Sequence, residues 1–329
     1  MSHNFRYYQI ISQNHRMQVY TLSNFGEKTE IFYATIGLRV FLGDDYGRIQ
    51  HSRSMQSNPR EILIRKAVFV LTNYKKILRV WESFDIQTVS DLNLRLNSFR
   101  IQFAYNSAKI ENPEVTYYAT REIFEDAVVK TFKGSPETLT EISNQRKCYT
   151  FLLPKIIAKE PITLDLIKEA HEITTMGTYD DRRFFELGER PGMFRKNDFV
   201  VGKNDVGSMP EEVEADLEEL LKEISDTTIL TEPSKVLKAA TYFHMRFEFI
   251  HPFADGNGRV GRTMMNYFLM IHSHPPLIVY DEDRVEYYEA LEHYTEGEDL
   301  EPLFTFFEQQ LEKTWAKAVE CHEKRHRLL

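Results

Sequence analysis

The sequence is poor in cysteine and contains no long apolar run. Only Cys148 and Cys321 are present among 329 residues, and they stand too far apart to form a disulfide framework or a zinc motif. No apolar stretch approaches the roughly 18 residues that a transmembrane helix needs. The opening MSHNFRYYQI lacks the apolar core of a signal peptide. We therefore expect a cytoplasmic protein without a membrane partner.

Basic residues are outnumbered by acidic residues. Lys and Arg number 41 against 50 Asp and Glu, which gives a formal net charge of −9. Nucleic acids and anionic membranes are bound through basic faces, so we do not expect a nucleic-acid partner. A small basic pocket for one nucleotide remains compatible with this balance. The sequence lacks the glycine-rich Gly-x-x-x-x-Gly-Lys-Ser/Thr pattern of a P-loop, so such a pocket must be built differently.

The pattern along the chain predicts a mainly α-helical protein with a mixed N-terminal region. Short β-like runs at 16–22 and 31–42 come first, and helical periodicity starts at Asn58-Pro59. A helix from Ser90 should end at Glu111, because Asn112 precedes a proline. Further helix starts are predicted from the capping residues Thr116, Ser135, Thr163 and Ser208. The helix that starts at Thr116 is predicted to end at about Phe132. Residues 192–203, GMFRKNDFVVGK, are typical of a β-hairpin.

Residues 251–262, HPFADGNGRVGR, lie between two predicted helices and concentrate groups suited to phosphate chemistry. Gly256 and Gly258 leave backbone amides uncovered at the start of a helix, where anions bind. Arg259 and Arg262 are three residues apart, and guanidinium groups suit polyphosphate oxygens.

Two further residues of this loop supply a metal ligand and a base. Asp255 offers the kind of oxygen that Mg²⁺ takes when it also binds phosphate. His251 has an unperturbed pKa near neutrality and is the natural general base. Together with the anion cradle and the two arginines, these are the groups that phosphoryl or nucleotidyl transfer needs.

The loop resembles the signature of the Fic family, His-x-Phe-x-Asp/Glu-Gly-Asn-Gly-Arg-x-x-Arg. Every specified position is matched, by His251, Phe253, Asp255, Gly256, Asn257, Gly258, Arg259 and Arg262. The resemblance implies a helical Fic domain at 86–310 with a β-hairpin flap at 192–203, followed by a charged helix at 311–329. The resemblance does not explain residues 1–85. Three roles remain open for them: a docking region, a dimerisation region that forms a homodimer, or a structural support for the inhibitory helix.

The resemblance also implies an activity and a role for each loop residue. A Fic enzyme of this kind transfers AMP from ATP to a Tyr, Thr or Ser hydroxyl of a protein and releases pyrophosphate. His251 would deprotonate the hydroxyl and Asp255 would hold Mg²⁺. The backbone of Gly256, Asn257 and Gly258 would cradle the phosphates, and Arg259 and Arg262 would bind the outer ones. Self-AMPylation is an expected readout.

Two other segments resemble parts of the Fic nucleotide site. The flap would pin the target segment beside the α-phosphate by strand-like pairing. Its nucleotide-facing end comprises Phe199, Val200, Val201 and Gly202. Tyr287 would lie near the adenine, with ordinary helix packing as the alternative for this residue.

The sequence Ser107-Ala-Lys-Ile-Glu111-Asn112 resembles the Ser/Thr-x-x-x-Glu-Gly/Asn inhibitory motif of Fic proteins. Ser107 and Glu111 are four residues apart and share one helix face. A carboxylate delivered to Arg262 would form a charge pair and deny that arginine to the γ-phosphate. Because the motif precedes the Fic domain, within the predicted helix 90–112, the resemblance is to class II.

Several alternatives remain open at this point. A Fic enzyme with UMP, phosphate or phosphocholine transfer is one, and removal of AMP from a modified target is another. A non-catalytic nucleotide sensor is the rival from a different class. A hydrolytic metal site formed by His251, His272 and His274 is a weaker alternative, because His-x-His at the end of a helix is a poor metal signature.

Overall fold

The computed structural model describes four strands between residues 5 and 42, and then residues 73–127, 129, 132–198, 207–225, 233–297 and 299–326. Chain contacts divide the protein into two units, Met1–Pro59 and Arg60–Leu329. The predicted helix start at Asn58 lies outside the described residues, as does the part of the flap from Phe199 to Lys203. The predicted domain boundary at residue 85 stays a prediction.

The first unit contains an antiparallel sheet in the order β1-β2-β3-β4. The strands are β1 (Phe5–Ser12), β2 (His15–Phe25), β3 (Lys28–Tyr33) and β4 (Leu38–Leu42). In the first pair the register runs from Phe5 opposite Leu22 to Ser12 opposite His15. Sequential pairing of this kind follows from short connections. The predicted β character of this region is confirmed.

The second unit is helical. Helix α1 covers 73–82. The others are α2 (Val89–Arg95), α3 (Asn97–Glu111), α4 (Tyr117–Asp126), α5 (Pro136–Ile157), α6 (Leu164–Thr175), α7 (Val213–Ile224), α8 (Pro233–Ile250), α9 (Asn257–Ile271), α10 (Arg284–Gly297) and α11 (Glu301–His326). A π-helical turn spans Arg182–Glu186 and a 3₁₀ turn spans Asp281–Asp283. The predicted mainly helical fold is confirmed.

Three helix starts predicted from capping residues are confirmed. The side chains of Thr116, Ser135 and Thr163 each accept a hydrogen bond from a first-turn amide of the following helix. Ser135 is followed by Pro136 at the first helical position, where a missing N–H costs nothing.

Other predicted helix limits are wrong. Thr88, not Ser90, caps α2, because it forms a reciprocal capping box with Asp91. Leu96 then ends α2 and begins α3, so the predicted helix from Ser90 to Glu111 is two helices, of which the second ends at Glu111 as predicted. Helix α4 stops at Asp126, because Ala127 takes a left-handed φ of 59°.

Ser208 does not form the predicted capping box. Helix α7 begins at Val213 without a side-chain cap, and the Ser208 hydroxyl donates instead to the carboxylate of Asp216. Within the described part of the flap, residues 192–198 form turns and bends without strand pairing. The hairpin therefore stays a prediction.

The core of the helical unit is centred on α8 and α9, whose apolar faces are fully buried. Phe243 and Phe247 of α8 pack near Met264 and Phe268 of α9 in one continuous cluster. Burial of such side chains stabilises a fold by about 1.5–3 kcal/mol each. This pair of helices fixes the two ends of the loop that carries the Fic-like signature.

Candidate active site

The loop from His251 to Gly256 is folded by its own backbone and by Asn257. The Asn257 side chain accepts from the Phe253 amide at 2.9 Å and donates to the Phe253 carbonyl at 2.8 Å. His251 and Gly256 take positive φ values of 51° and 82°, which turn the chain out of α8 and into α9. Glycine is required at 256, because an added Cβ would lie 2.6 Å from the Thr175 side chain.

Asn257→Ala should destabilise the protein, because it leaves the buried amide and carbonyl of Phe253 without partners. Each buried polar group that loses its partner costs about 1–3 kcal/mol. We expect a loss of about 2 kcal/mol or more in the free energy of unfolding, measured by urea denaturation. Asn97→Ala is the matched control at an exposed asparagine and should stay within about 0.5 kcal/mol of wild type. Equal stability of the two variants would contradict the clamping role.

His171 of α6 packs against the loop and holds its backbone. Its ring stacks on Phe253, with ring centroids 3.6 Å apart and planes within 5°. The Gly192 amide donates to Nδ1 at 2.9 Å, and Nε2 lies 2.9 Å from the Asp255 carbonyl. These partners require a neutral ring that is protonated on Nε2. Burial is consistent with this, since it lowers the pKa of His171 to about 4.

Arg195 ties the flap region to the loop. Its Nε donates to the His251 carbonyl at 2.8 Å, and its backbone amide donates to the Pro252 carbonyl at 2.9 Å. Its other nitrogens donate to the carbonyls of Asn197 and Ser208. The arginine side chain is fully buried, so its charge is compensated by these backbone carbonyls and by the Asp198 carboxylate, 3.5 Å from Nη1, rather than by water.

The His251 imidazole is largely buried at the junction of α8 and the loop. Its Nδ1 is a buried atom without a hydrogen-bond partner in the described part of the chain. Burial, followed by the positive charge of Arg195, lowers the pKa of His251 to about 4. The ring is therefore neutral at physiological pH and carries a lone pair that can accept a proton.

Asp255 and Arg259 contact each other at the start of α9. Asp255 Oδ1 accepts from the Gly256 amide at 2.6 Å and lies 3.4 Å from Arg259 Nη2. Both contacts fall on one carboxylate oxygen, and about a third of the side chain is exposed. The second oxygen is therefore the one that can face a ligand. A single carboxylate fits Mg²⁺, which commonly binds one or two carboxylates together with substrate phosphates.

Arg262 of α9 forms an ion pair with Glu111 of α3, in which the arginine is buried and the glutamate side chain is 36% exposed. Arg262 Nη2 donates to Glu111 Oε1 at 2.7 Å. Ser107 supplies two more acceptors, its hydroxyl at 3.1 Å from Nε and its carbonyl at 2.9 Å from Nη2. The arginine is only 1% exposed. The structure therefore brings the three predicted residues, Ser107, Glu111 and Arg262, into one cluster. The two residues of the ion pair are 151 positions apart in the chain.

Glu111 also faces the start of α9. A Cβ added to Gly258 would lie 2.4 Å from Glu111 Oε1 and 2.9 Å from Arg262 Nη1. The first amides of a helix lack intrahelical partners and carry partial positive charge. The carboxylate of Glu111 consequently lies where the predicted phosphate cradle would hold an anion.

Tyr287 lies behind Arg262 in the core. Its hydroxyl is 2.7 Å from His244 Nε2 and 3.5 Å from Arg262 Nη1, and the side chain is 1% exposed. Glu248 is also buried in this cluster, and burial raises its pKa to about 7. The predicted contact between Tyr287 and adenine stays a prediction. The described contacts of Tyr287 are those of helix packing and arginine positioning.

The three-histidine metal site is wrong. Nδ1 of His272 and Nδ1 of His274 each contact a backbone carbonyl, of Phe268 and His272 respectively, at 2.8 Å. Across the ranges that the structure describes, no three His, Cys, Asp or Glu side chains group as metal ligands. In the same ranges, no helix is both long enough and apolar enough to cross a membrane.

Two residues of the site were missed by sequence reasoning. His171 stands on the buried stripe of α6 beside Ile167, Ala170 and Thr174, and a polar side chain at a core position is a signal that a pattern search can find. Arg195 carried no comparable signal, because an arginine in a turn is normally solvated.

Part of the chain is similar to known proteins. Residues 161–269 match the model of the Fic/DOC family. The chain contains a Fic domain. The match covers α6, α7, α8 and most of α9, and therefore includes the whole loop at 251–262. The Fic domain thus begins before the loop and includes His171, which supports it.

Curated relatives of the Fic domain are named protein adenylyltransferase Fic. The protein of Drosophila willistoni is 32% identical over 216 residues, which are 65% of this chain and 40% of the relative. That of Nematostella vectensis is 30% identical over 218 residues, 65% and 47% of the two chains. The chain thus spans less than half the length of these relatives.

Solved structures share the fold. A Fic domain containing signaling protein from Bacteroides thetaiotaomicron aligns with a TM-score of 0.64 at 20% identity, over 77% of this chain and 97% of that one. Fic-1 (aa134–508) from C. elegans also aligns with a TM-score of 0.64, at 23% identity over 81% and 76% of the two chains. At these identities the likeness concerns the fold alone.

Proposed function

We propose that this protein is an adenylyltransferase that moves AMP from ATP to a Tyr, Thr or Ser hydroxyl of a protein, and that Glu111 holds it in an inhibited state. The observation that supports this most directly is one cluster of four parts. A neutral buried imidazole, an accessible carboxylate, a helix N-terminus and two buried arginines surround the same loop. The names of the curated relatives point the same way.

In this reaction the hydroxyl oxygen of the target attacks the α-phosphorus of ATP. The bond between that phosphorus and the oxygen that bridges to the β-phosphate breaks, and pyrophosphate leaves. His251 accepts the proton of the hydroxyl, which its neutral ring can do at physiological pH. Asp255 would hold Mg²⁺, which supplies charge neutralisation for the departing pyrophosphate.

The remaining groups of the cluster would bind and orient the triphosphate. The first amides of α9 would meet phosphate oxygens. Arg259, which lies 3.2 Å from Glu141 and 3.4 Å from Asp255, would bind one outer phosphate and Arg262 the other. Arg262 can do so only when the carboxylate of Glu111 gives up its place. The flap residues Phe199–Gly202 would hold the target segment.

The proposal is tested by incubating the purified Glu111→Gly variant with ATP and Mg²⁺, alone and with candidate target proteins. Intact-mass spectrometry should show the mass of AMP added to a protein, including self-AMPylation. UTP in place of ATP separates UMP transfer, and addition of a phosphate mass alone would indicate a different reaction class. No covalent product with any donor, together with intact ATP binding, would favour the nucleotide sensor.

Removal of AMP is the second candidate, supported by the position of Glu111 beside the anion cradle. A carboxylate there could orient water towards the phosphorus of an AMP-modified side chain, while His251 in its protonated form gives its proton to the leaving oxygen. Incubation of AMP-modified protein with the wild-type chain measures it directly. Release of AMP by wild type, but not by Glu111→Gly, is the expected pattern for this activity.

The lowered pKa of His251 predicts the acid limb of the pH profile. A base works when deprotonated, so activity is lost as the pH falls through its pKa. Burial lowers the pKa of His251 from 6.5 to about 4. We expect kcat/KM of Glu111→Gly to stay level from neutrality down to about pH 5 and to fall below it. Circular dichroism at each pH confirms folding, and a midpoint near pH 6.5 would contradict the assignment.

A further inference from the structure

The two arginines of the loop differ in how much of their hydrogen-bonding capacity is already in use. All three nitrogens of the Arg262 guanidinium group form hydrogen bonds. Among the described residues, the Arg259 side chain forms one, from Nη2 to Asp255 at 3.4 Å. Its Nε and Nη1 are buried and make no hydrogen bond there. Arg259 therefore keeps N–H groups for a ligand in the state in which Arg262 is fully engaged.

Glu141 of α5 supplies the counter-charge that holds Arg259 in place. Its Oε1 lies 3.2 Å from Arg259 Nη1, and the arginine and glutamate side chains are only 4% and 17% exposed. This ion pair is not aligned as a hydrogen bond, so it neutralises the guanidinium group without consuming its N–H donors. Asp255, the other carboxylate beside Arg259, is the proposed ligand of Mg²⁺. Glu141 is thus the carboxylate that stays with the arginine when Asp255 turns to the metal.

The second oxygen of Glu141 connects this ion pair to the end of α3. Asn112 Nδ2 donates to Glu141 Oε2 at 2.9 Å. Asn112 is the C-terminal cap of α3 and directly follows Glu111. The last turn of a helix frays unless other contacts hold it. Glu141 therefore joins Arg259 of the loop to the residue that fixes the backbone next to Glu111.

We propose that Glu141 is a positioning residue of the active site, an inference that rests on the proposed function. Through Oε1 it directs the unused N–H groups of Arg259 at an outer phosphate of ATP. Through Oε2 and Asn112 it anchors the end of α3, so that Glu111 stays on Arg262. Because each role belongs to a different oxygen, different variants separate them.

The role at Arg259 is tested by nucleotide binding to Glu141→Gln in the Glu111→Gly background. Glutamine keeps the side-chain length and an acceptor for Asn112, and it removes the charge. The probe is the ATP analogue with a methylene group between the α- and β-phosphates, which cannot release pyrophosphate. Its affinity, measured by isothermal titration calorimetry, should fall about tenfold. Affinity for AMP, which has no outer phosphate, should stay the same.

The comparison of the two nucleotides separates positioning from a general loosening of the site, which would weaken both. Glu137→Gln, at an exposed glutamate one turn earlier on α5, is the matched control and should change neither affinity. Equal weakening of both nucleotides by Glu141→Gln, or an unchanged affinity for the analogue, would overturn the role at Arg259. Selective weakening of the analogue in a chain that transfers no AMP would count against the proposed function and leave this role in place.

The role at α3 is tested by Asn112→Asp in the otherwise wild-type chain. Aspartate keeps the oxygen that accepts from the Glu114 amide at 2.9 Å, so the turn after α3 is preserved. It removes the donor to Glu141 and places a like charge beside it. Residual AMP transfer, followed with labelled ATP, should rise several-fold. The same substitution should add nothing in the Glu111→Gly background, because it acts through Glu111.

Hydrogen exchange gives a readout of the anchor that does not depend on transfer. Amides in the last turn of α3 should exchange faster in Asn112→Asp than in wild type. Asn97→Asp, at the exposed start of the same helix, should alter neither exchange there nor the rate. Unchanged exchange in Asn112→Asp, or equal activation by it in both backgrounds, would overturn the anchoring role.

Discussion

Replacement of His251 by alanine in the Glu111→Gly background should reduce AMP transfer by about 10²–10⁴-fold, the usual contribution of a positioned general base. The reason is local. The imidazole is neutral at working pH, sits at the turn between α8 and α9, and is the histidine for which we propose the role of base. The rate is measured by labelled-ATP incorporation under single-turnover conditions, so that product release does not mask the chemical step.

ATP binding is the second readout of this variant. His251 is held through its backbone carbonyl by Arg195 at 2.8 Å, so loss of the ring should leave the loop in place and ATP affinity within about threefold of the parent. His293→Ala, at an exposed histidine of α10, is the matched control and should change neither readout. Transfer at the parental rate by His251→Ala would remove the general base from the mechanism.

The loop at 251–262 was predictable because its groups are adjacent in sequence. Glycines, arginines, an acid and a base within twelve residues are brought together by one turn and the start of one helix, so the pattern alone fixes their proximity. Helix starts at Thr116, Ser135 and Thr163 were predictable for the same reason, because each cap satisfies an amide only three residues away.

The features that could not be predicted depend on distant contacts. The break between α2 and α3 falls at Leu96, which is fully buried, and neither glycine nor proline marks it. Tertiary packing therefore decides where that helix ends. The roles of His171 and Arg195 depend on carbonyls 84 and 56 positions away, those of Asp255 and His251. Periodicity and capping rules contain no information at that range.

The contact of Glu111 with Arg262, for which we propose an inhibitory role, was predictable in part. The spacing of Ser107 and Glu111 places them on one helix face, but a motif of this size occurs by chance in many helices. Its partner became identifiable only because a complete Fic loop lies downstream. In the structure, a buried arginine draws acceptors from α3 and the Tyr287 hydroxyl from α10. A desolvated guanidinium needs such partners, so each state of the protein must supply Arg262 with hydrogen-bond acceptors.

Glu111→Gly should therefore raise AMP transfer by about 10²-fold, the effect of correcting an ångström-scale misplacement of a reacting group. With the carboxylate gone, Arg262 and the first turn of α9 near Gly258 are both available to the outer phosphates. The α-phosphate can then align with the incoming hydroxyl. Initial rates with labelled ATP and a fixed amount of protein measure the change.

Two companion variants separate loss of the carboxylate from loosening of the helix. Glu111→Gln keeps the side-chain length and removes the charge, so it should recover a large part of the activation. Lys109→Gly places the same helix-weakening glycine in the last turn of α3 and leaves the ion pair intact, so its rate should match wild type. Activation by Lys109→Gly equal to that of Glu111→Gly would mean that mobility of α3, and not the charge pair with Arg262, governs the rate.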